Sequence, residues 1–306
     1  MNTRDLSSLI LLSAIWGSSF LFMRIAAPVL GPIWLISARV GIAGIALVLY
    51  CYALKNVPEF RSRWREFAFM GAINSALPFT LISWAELHIT ASLAVTLNAA
   101  VPMFTAVVSA LWLGEKFSLE RKFGLGLGMV GVAILVGLGP LELTPLVLVS
   151  VGAVLGATLC YAIAGNFVKR NMSGVSPLAT TTYSQVLGTL PLLLLMPFTA
   201  PDNLESKLAS SGTFLILGSA LALALVCTAV AYLIYFQLIR NIGPLKTSMV
   251  TYLAPVFGIA WGVIFLQEKL NWGSVLGFAV ILSSVALVSG VVKLGKAGVV
   301  KDSRVG

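Results

Sequence analysis

The chain has 306 residues, 58% of them hydrophobic and only 10% charged. A soluble globular chain carries about 25% charged residues, so this composition excludes a water-soluble domain. The net charge of +9 raises nucleic acid as a partner, but the basic residues fall in short connections between apolar stretches, which excludes a polyanion-binding patch.

A helix needs about 20 apolar residues to cross the hydrocarbon core of a bilayer. Ten stretches qualify: 6–27, 32–54, 67–87, 91–113, 123–139, 144–168, 177–197, 212–238, 245–266 and 270–294. The first is expected to stay in the protein, because Arg24 stands where signal cleavage would need small residues. Arg24 lies near a span end and is expected to snorkel to the interface. Arg39 sits about two turns into the second stretch, to pair with helix-end carbonyls or to meet a carboxylate. Glu86 and His88 close the third and are expected at a solvated outer mouth. Pro102 and Pro255 fall in the middle of the fourth and ninth, each removing one N–H and freeing the carbonyl four residues earlier, of Asn98 and Thr251. Such a site is a packed kink or a hinge beside substrate. Gly124 and Gly128 open the fifth stretch, Gly273 and Gly277 the tenth; this spacing lets helices approach closely and is compatible with a homodimer. Cys51, Cys160 and Cys227 all lie within stretches, which reads as small apolar packing. With one histidine, no histidine-based metal site is expected. No cofactor is expected.

Sixteen of the 20 basic residues fall on one side if the N-terminus is inside; Arg24, Arg39, Lys207 and Lys269 are the exceptions. Lys and Arg are retained in short cytoplasmic loops, so both termini are expected in the cytoplasm.

Residues 89–137 resemble residues 242–290 at an offset of 153, half the chain. Pro102 meets Pro255, Glu115-Lys116 meets Glu268-Lys269, and Gly124 meets Gly277. Five spans per half is an odd number, so the halves, 1–140 and 141–306, are expected to be inverted repeats, the plan of many secondary transporters. Ser118 and Asn271 precede the last span of each half as N-caps, and the adjoining glutamates are expected to satisfy the same helix ends.

Ile15-Trp16-Gly17-Ser18-Ser19-Phe20, Ala38-Arg39-Val40, and a fourth span carrying proline and ending Leu113-Gly114-Glu115-Lys116 resemble the drug/metabolite transporter superfamily, its EamA repeat in particular. The second half departs from the opening pattern: Tyr161-Ala162 stands near the place of Trp16-Gly17, and Gln185 near that of Arg39. The resemblance implies an all-α polytopic fold of ten helices around a central cavity lined mainly by spans 1, 3, 4, 6, 8 and 9. Within the family it leans toward bacterial exporters of aromatic amino acids.

On those spans stand Trp16, Ser19, Phe20, Phe79, Asn98, Tyr161, Tyr232, Tyr235 and Tyr252. Each ring alone reads first as helix packing or interfacial belt and only second as a substrate contact; the set suits a neutral or zwitterionic solute with an apolar or aromatic side chain. No acid occurs in the first span and no Lys/Arg cluster at depth, which disfavours carboxylate-driven drug exchange and phosphate esters. The expectation is an inner-membrane exporter of small amphipathic metabolites, amino acids including aromatic ones foremost. A broader drug or metabolite exporter is the alternative, and a lipid-acting membrane enzyme a remote one. Its expected partners are a small solute and the lipid bilayer, with no nucleic acid.

Overall fold

The computed structural model describes residues 2–55, 60, 62–114, 118–139 and 142–289. Helix α1 (Thr3–Leu30) opens on Asn2, whose Oδ1 accepts the Asp5 N–H at 2.8 Å, and ends at Gly31 with φ +74°, a conformation that favours glycine. Pro32 then starts α2 (Pro32–Ala53), its fixed φ suited to a first helical position. Helices α3 (Trp64–Gly71) and α4 (Leu77–Ala85) form one rod through a π segment at Ala72–Ala76. Helices α5 (Ala91–Asn98) and α6 (Val101–Leu113) are separated by a break at Ala99 and Ala100. There follow α7 (Leu119–Gly137), α8 (Pro145–Asn171), α9 (Pro177–Leu195) and the short α10 (Leu204–Ser211). Helix α11 (Thr213–Leu221) passes through a second π segment, Ala222–Val230, into α12 (Ala231–Thr247), and α13 (Val250–Leu266) and α14 (Trp272–Val288) complete the described chain.

Every apolar stretch read from the sequence falls on one of these rods, and no strand occurs among the described residues. Seven rods are long and apolar enough to cross a membrane. Helices α13 and α14 have 17 residues each, about 25 Å at 1.5 Å per residue, a little under the hydrocarbon thickness. Helix α7 opens with Glu120, Arg121 and Lys122 before its apolar run. The last residues of the tenth stretch lie outside the described residues, as does the Glu115-Lys116 pair. The exterior is apolar: Leu111, Phe198 and Phe214 stand 83%, 85% and 93% exposed. Water would not tolerate that surface, and lipid solvates it.

Since lipid is as apolar as leucine, the helices must be held by close packing and by polar contacts between them. Helix α7 packs along α14, so the close approach expected of the two Gly-xxx-Gly pairs is made within the chain. A Cβ on Gly277 would lie 2.7 Å from Leu135 Cβ and 2.8 Å from its backbone N, and Ser284 Oγ donates to the Gly124 carbonyl at 2.6 Å. Helix α1 packs on α13 through Gly17, where a Cβ would lie 2.7 Å from the Ala254 carbonyl oxygen. Ser118 and Asn271 are N-caps as expected, accepting from Arg121 N at 3.3 Å and Ser274 N at 2.9 Å. The short α10 was not foreseen; Leu204 and Leu208, one turn apart, pack it against the core.

The two prolines act differently. The chain breaks just before Pro102, where Ala100 N bonds the Leu97 carbonyl and Met103 N the Ala100 carbonyl in tight three-residue turns. Helix α13 instead runs unbroken through Pro255, and Thr251 Oγ1 donates back to the Ser248 carbonyl at 2.7 Å. The irregular backbone in the second half lies elsewhere, in the longer π segment and at Gly243 with φ +79°.

Candidate functional site

The π segments coincide under the sequence repeat: residues 72–76 shifted by 153 fall on 225–229, inside 222–230. Each packs against the second helix of the opposite half. From α2, Arg39 Nε donates to Thr228 Oγ1 at 3.1 Å. From α9, Gln185 Nε2 donates to Ser75 Oγ at 3.1 Å. Ser75 and Thr228 are 153 apart, and Arg39 and Gln185 are 146 apart, so the two contacts are counterparts. A π turn frees a carbonyl: Thr228 Oγ1 donates to Leu223, five residues back, at 2.8 Å, which aims its lone pairs at Arg39.

Arg39 is the charged member of this pair and is buried. Its guanidinium carbon lies 3.8 Å from the centroid of the Phe79 ring, and Nη1 lies 3.5 Å from Met23 Sδ. The expected pairing with helix-end carbonyls is not what is found. Helix α2 lies against a π segment, which offers a hydroxyl, and against rings. A stacked, desolvated guanidinium gains about 2 kcal/mol from the ring quadrupole. Thr228, Phe79 and Met23 are all neutral, and the carboxyl within its electrostatic reach is that of Glu86.

The expected rings fall into two sets, one of which contains the Phe79 on which Arg39 stacks. Trp16 meets Tyr235 at 5.4 Å and Tyr232 edge-on at 6.1 Å between centroids. Phe79 meets Tyr161 at 6.4 Å. The phenols of Tyr161 and Tyr232 both lie within electrostatic reach of Arg39, and Asn74 Nδ2 stands 3.5 Å from the Tyr232 hydroxyl. Both tyrosines are half-buried. Ser19 is buried on the same face of α1, and its Oγ has no hydrogen-bond partner. Phe20 is buried in the main core. Asn98 ends α5 at the break, with Oδ1 buried and unpartnered. Tyr252 stands apart: its hydroxyl donates to the Val285 carbonyl of α14 at 3.3 Å.

Arg39 was expected either to pair with helix-end carbonyls or to meet a carboxylate, whereas Thr228 and Asn74 were not among the expected residues. The matched offsets of Ser75 with Thr228 and of Phe79 with Tyr232 were the available signal. A cavity of about 140 Å3 lies elsewhere, lined by Thr90, Ser92, Leu135, Val256, Glu268 and Phe278 among others, and none of the expected site residues borders it. Among the described residues no cluster of His, Cys, Asp and Glu could hold a metal ion.

Glu86 and Glu268 correct two expectations. Glu86 is fully buried rather than solvated, and Arg24 Nη1 donates to its main-chain carbonyl. Glu268 does not satisfy the helix that follows it. Its two carboxylate oxygens accept the N–H groups of Ala91 and Ser92 at 2.8 and 2.9 Å, capping α5 of the other half.

The sequence profile of the EamA-like transporter family matches this chain twice, at residues 6–137 and 148–290. The uncharacterized transporter YvbV of Bacillus subtilis is 25% identical over 300 residues, covering 97% of this chain and 95% of the relative. The uncharacterized inner membrane transporter YedA of Escherichia coli is 26% identical over 286 residues, 92% of this chain and 89% of the relative. A probable terminal-alkyne amino-acid exporter of Streptantibioticus cattleyicolor is 23% identical over 286 residues, 92% of each chain. A solved crystal structure shares the fold with a TM-score of 0.63 at 14% identity, over 95% of this chain and 98% of that one.

Proposed function

The chain belongs to the EamA-like transporter family, a multi-pass membrane transporter rather than an enzyme, and on that premise we propose that it exports amino acids, aromatic ones included, by alternating access. The observation that carries this reading is Arg39: a buried cation, stacked on Phe79, facing Tyr161 and Tyr232, with neutral contacts at Thr228 and Met23. A solute carboxylate supplies the charge that these direct contacts lack. Trp16, Tyr232 and Tyr235 offer the surface for its side chain, and the unpartnered Ser19 Oγ and Asn98 Oδ1 offer polar contacts for its amino end. Gln185 holds the counterpart position without charge, so the solute has one preferred orientation. The relative named as a probable amino-acid exporter agrees with this class.

The moving parts are two inverted halves, 1–140 and 141–306, oriented with both termini in the cytoplasm. They meet at the Arg39–Thr228 and Gln185–Ser75 contacts. A π turn is a place where a helix repacks at small cost, because its ladder is already interrupted. The break at Pro102 serves as a hinge in α5–α6, and Pro255 marks its counterpart in α13.

The test is exchange of labelled phenylalanine in proteoliposomes. Trp16→Ala and Tyr232→Ala each reduce it while membrane expression is kept; unchanged kinetics in both variants remove these rings from the site.

A further inference from the structure

Glu86 lies one residue beyond α4, and its main chain needs nothing from its side chain. The Glu86 N–H bonds the Ile82 carbonyl at 2.9 Å, and the Glu86 carbonyl accepts from Arg24. The carboxyl group is another matter. The residue is fully buried, and neither carboxyl oxygen has a hydrogen-bond partner. Glu268 gives the contrast: both its oxygens are taken up by helix N–H groups. A buried carboxylate without donors is costly by several kcal/mol, and such a group takes up a proton instead. The groups that face it are Arg24 of α1, Arg39 of α2 and Glu268 after α13, with His88 two residues further on. The two guanidiniums favour the anion and the second carboxylate opposes it, so the balance turns on burial, which changes as a transporter opens.

Building on the exporter reading, we propose that Glu86 is the proton-coupling site. In the enclosed state its carboxyl keeps the proton. When the transporter opens and water reaches it, the O–H bond breaks, the proton passes to water, and the carboxylate is stabilised by hydration together with Arg24 and Arg39. An occupied Arg39, neutralised by solute carboxylate, no longer helps the anion. Solute and proton are thereby bound together and cross in the same direction, so export down the solute gradient carries the proton with it.

Two measurements test this, one of them independent of any solute. Infrared difference spectra of the purified protein between neutral and alkaline buffer should show a carboxylic C=O band in the wild type. That band should be absent from Glu86→Gln and unchanged in Glu205→Gln, a change at an exposed position. In proteoliposomes, a proton gradient should drive labelled phenylalanine above its equilibrium level. Glu86→Gln should lose that accumulation and the pH dependence of exchange, and Glu86→Asp should restore both in part. A band that persists in Glu86→Gln overturns the proposal, and so does gradient-driven accumulation by that variant. Wild-type liposomes that move no phenylalanine, with the Glu86 band present, overturn the amino-acid reading and its coupling role while leaving Glu86 a proton-binding site. A misfolded Glu86→Gln is recognised by its elution profile, and Glu86→Asp then carries the spectroscopic test.

Discussion

Replacing Arg39 with lysine separates a solute contact from a structural one. The guanidinium donates through Nε to Thr228 at 3.1 Å and stacks 3.8 Å from the Phe79 centroid. It keeps a planar fork with which to meet a carboxylate. Lysine retains the charge, but not the fork or the flat face. A hydrogen bond to a charged group is worth about 1.5–3 kcal/mol, and each 1.4 kcal/mol is about tenfold in affinity. Loss of one such bond to the solute therefore raises the KM for phenylalanine by roughly 10- to 100-fold. Phenylalaninamide has the same ring and amine but no carboxylate, and its weaker exchange should change by less than about threefold. The assay is counterflow in proteoliposomes with both solutes, beside a thermal melt of each purified variant. Equal losses for acid and amide, or a wild-type KM in Arg39→Lys, refute the carboxylate role and leave Arg39 as a strut between α2 and the second π segment.

Pro102→Ala restores a donor at the break and should slow turnover more than it weakens binding; normal turnover means that the break is packing alone. Gly277→Ala places a Cβ 2.7 Å from Leu135 Cβ, which should lower stability by about 1–3 kcal/mol and reduce the melting temperature. Gly126→Ala, where a Cβ meets nothing within 4 Å, should melt like the wild type, and equal melting of the two variants contradicts the account of the α7–α14 contact. Glu268→Gln keeps a hydrogen-bond acceptor but removes the charge at the α5 N-terminus, worth about 0.3–1 kcal/mol. Faster hydrogen exchange at Ala91 and Ser92 should report that loss, and unchanged protection contradicts the cap.

Helix positions were legible because apolar runs of sufficient length leave few alternatives, and the half-chain offset linked Ser118 with Asn271 and Gly124 with Gly277. Local chemistry explains the success at the caps: Ser118 and Asn271 act within three residues of themselves. Contacts across the molecule were not legible. Glu268 adjoins one helix in sequence and caps another from the opposite half. Glu86 looked like a mouth residue because it ends a span, yet neighbouring elements cover it. The π segments have no composition of their own, being Ala-Ile-Asn-Ser-Ala in one half and an Ala-, Leu- and Val-rich run in the other. Their recurrence at one offset emerged only from the backbone, and with it the partners of Arg39 and Gln185. Which ring meets which depends on helix rotation, and Tyr252 turned toward α14.

The central claim is that the space beside Arg39 carries amino acids, and a solute panel in proteoliposomes tests it most directly. The wild type should exchange aromatic and aliphatic amino acids saturably, and an excess of phenylalanine should inhibit the others. Movement of lipophilic cations with every amino acid excluded would contradict the account and leave a broader drug exporter in its place.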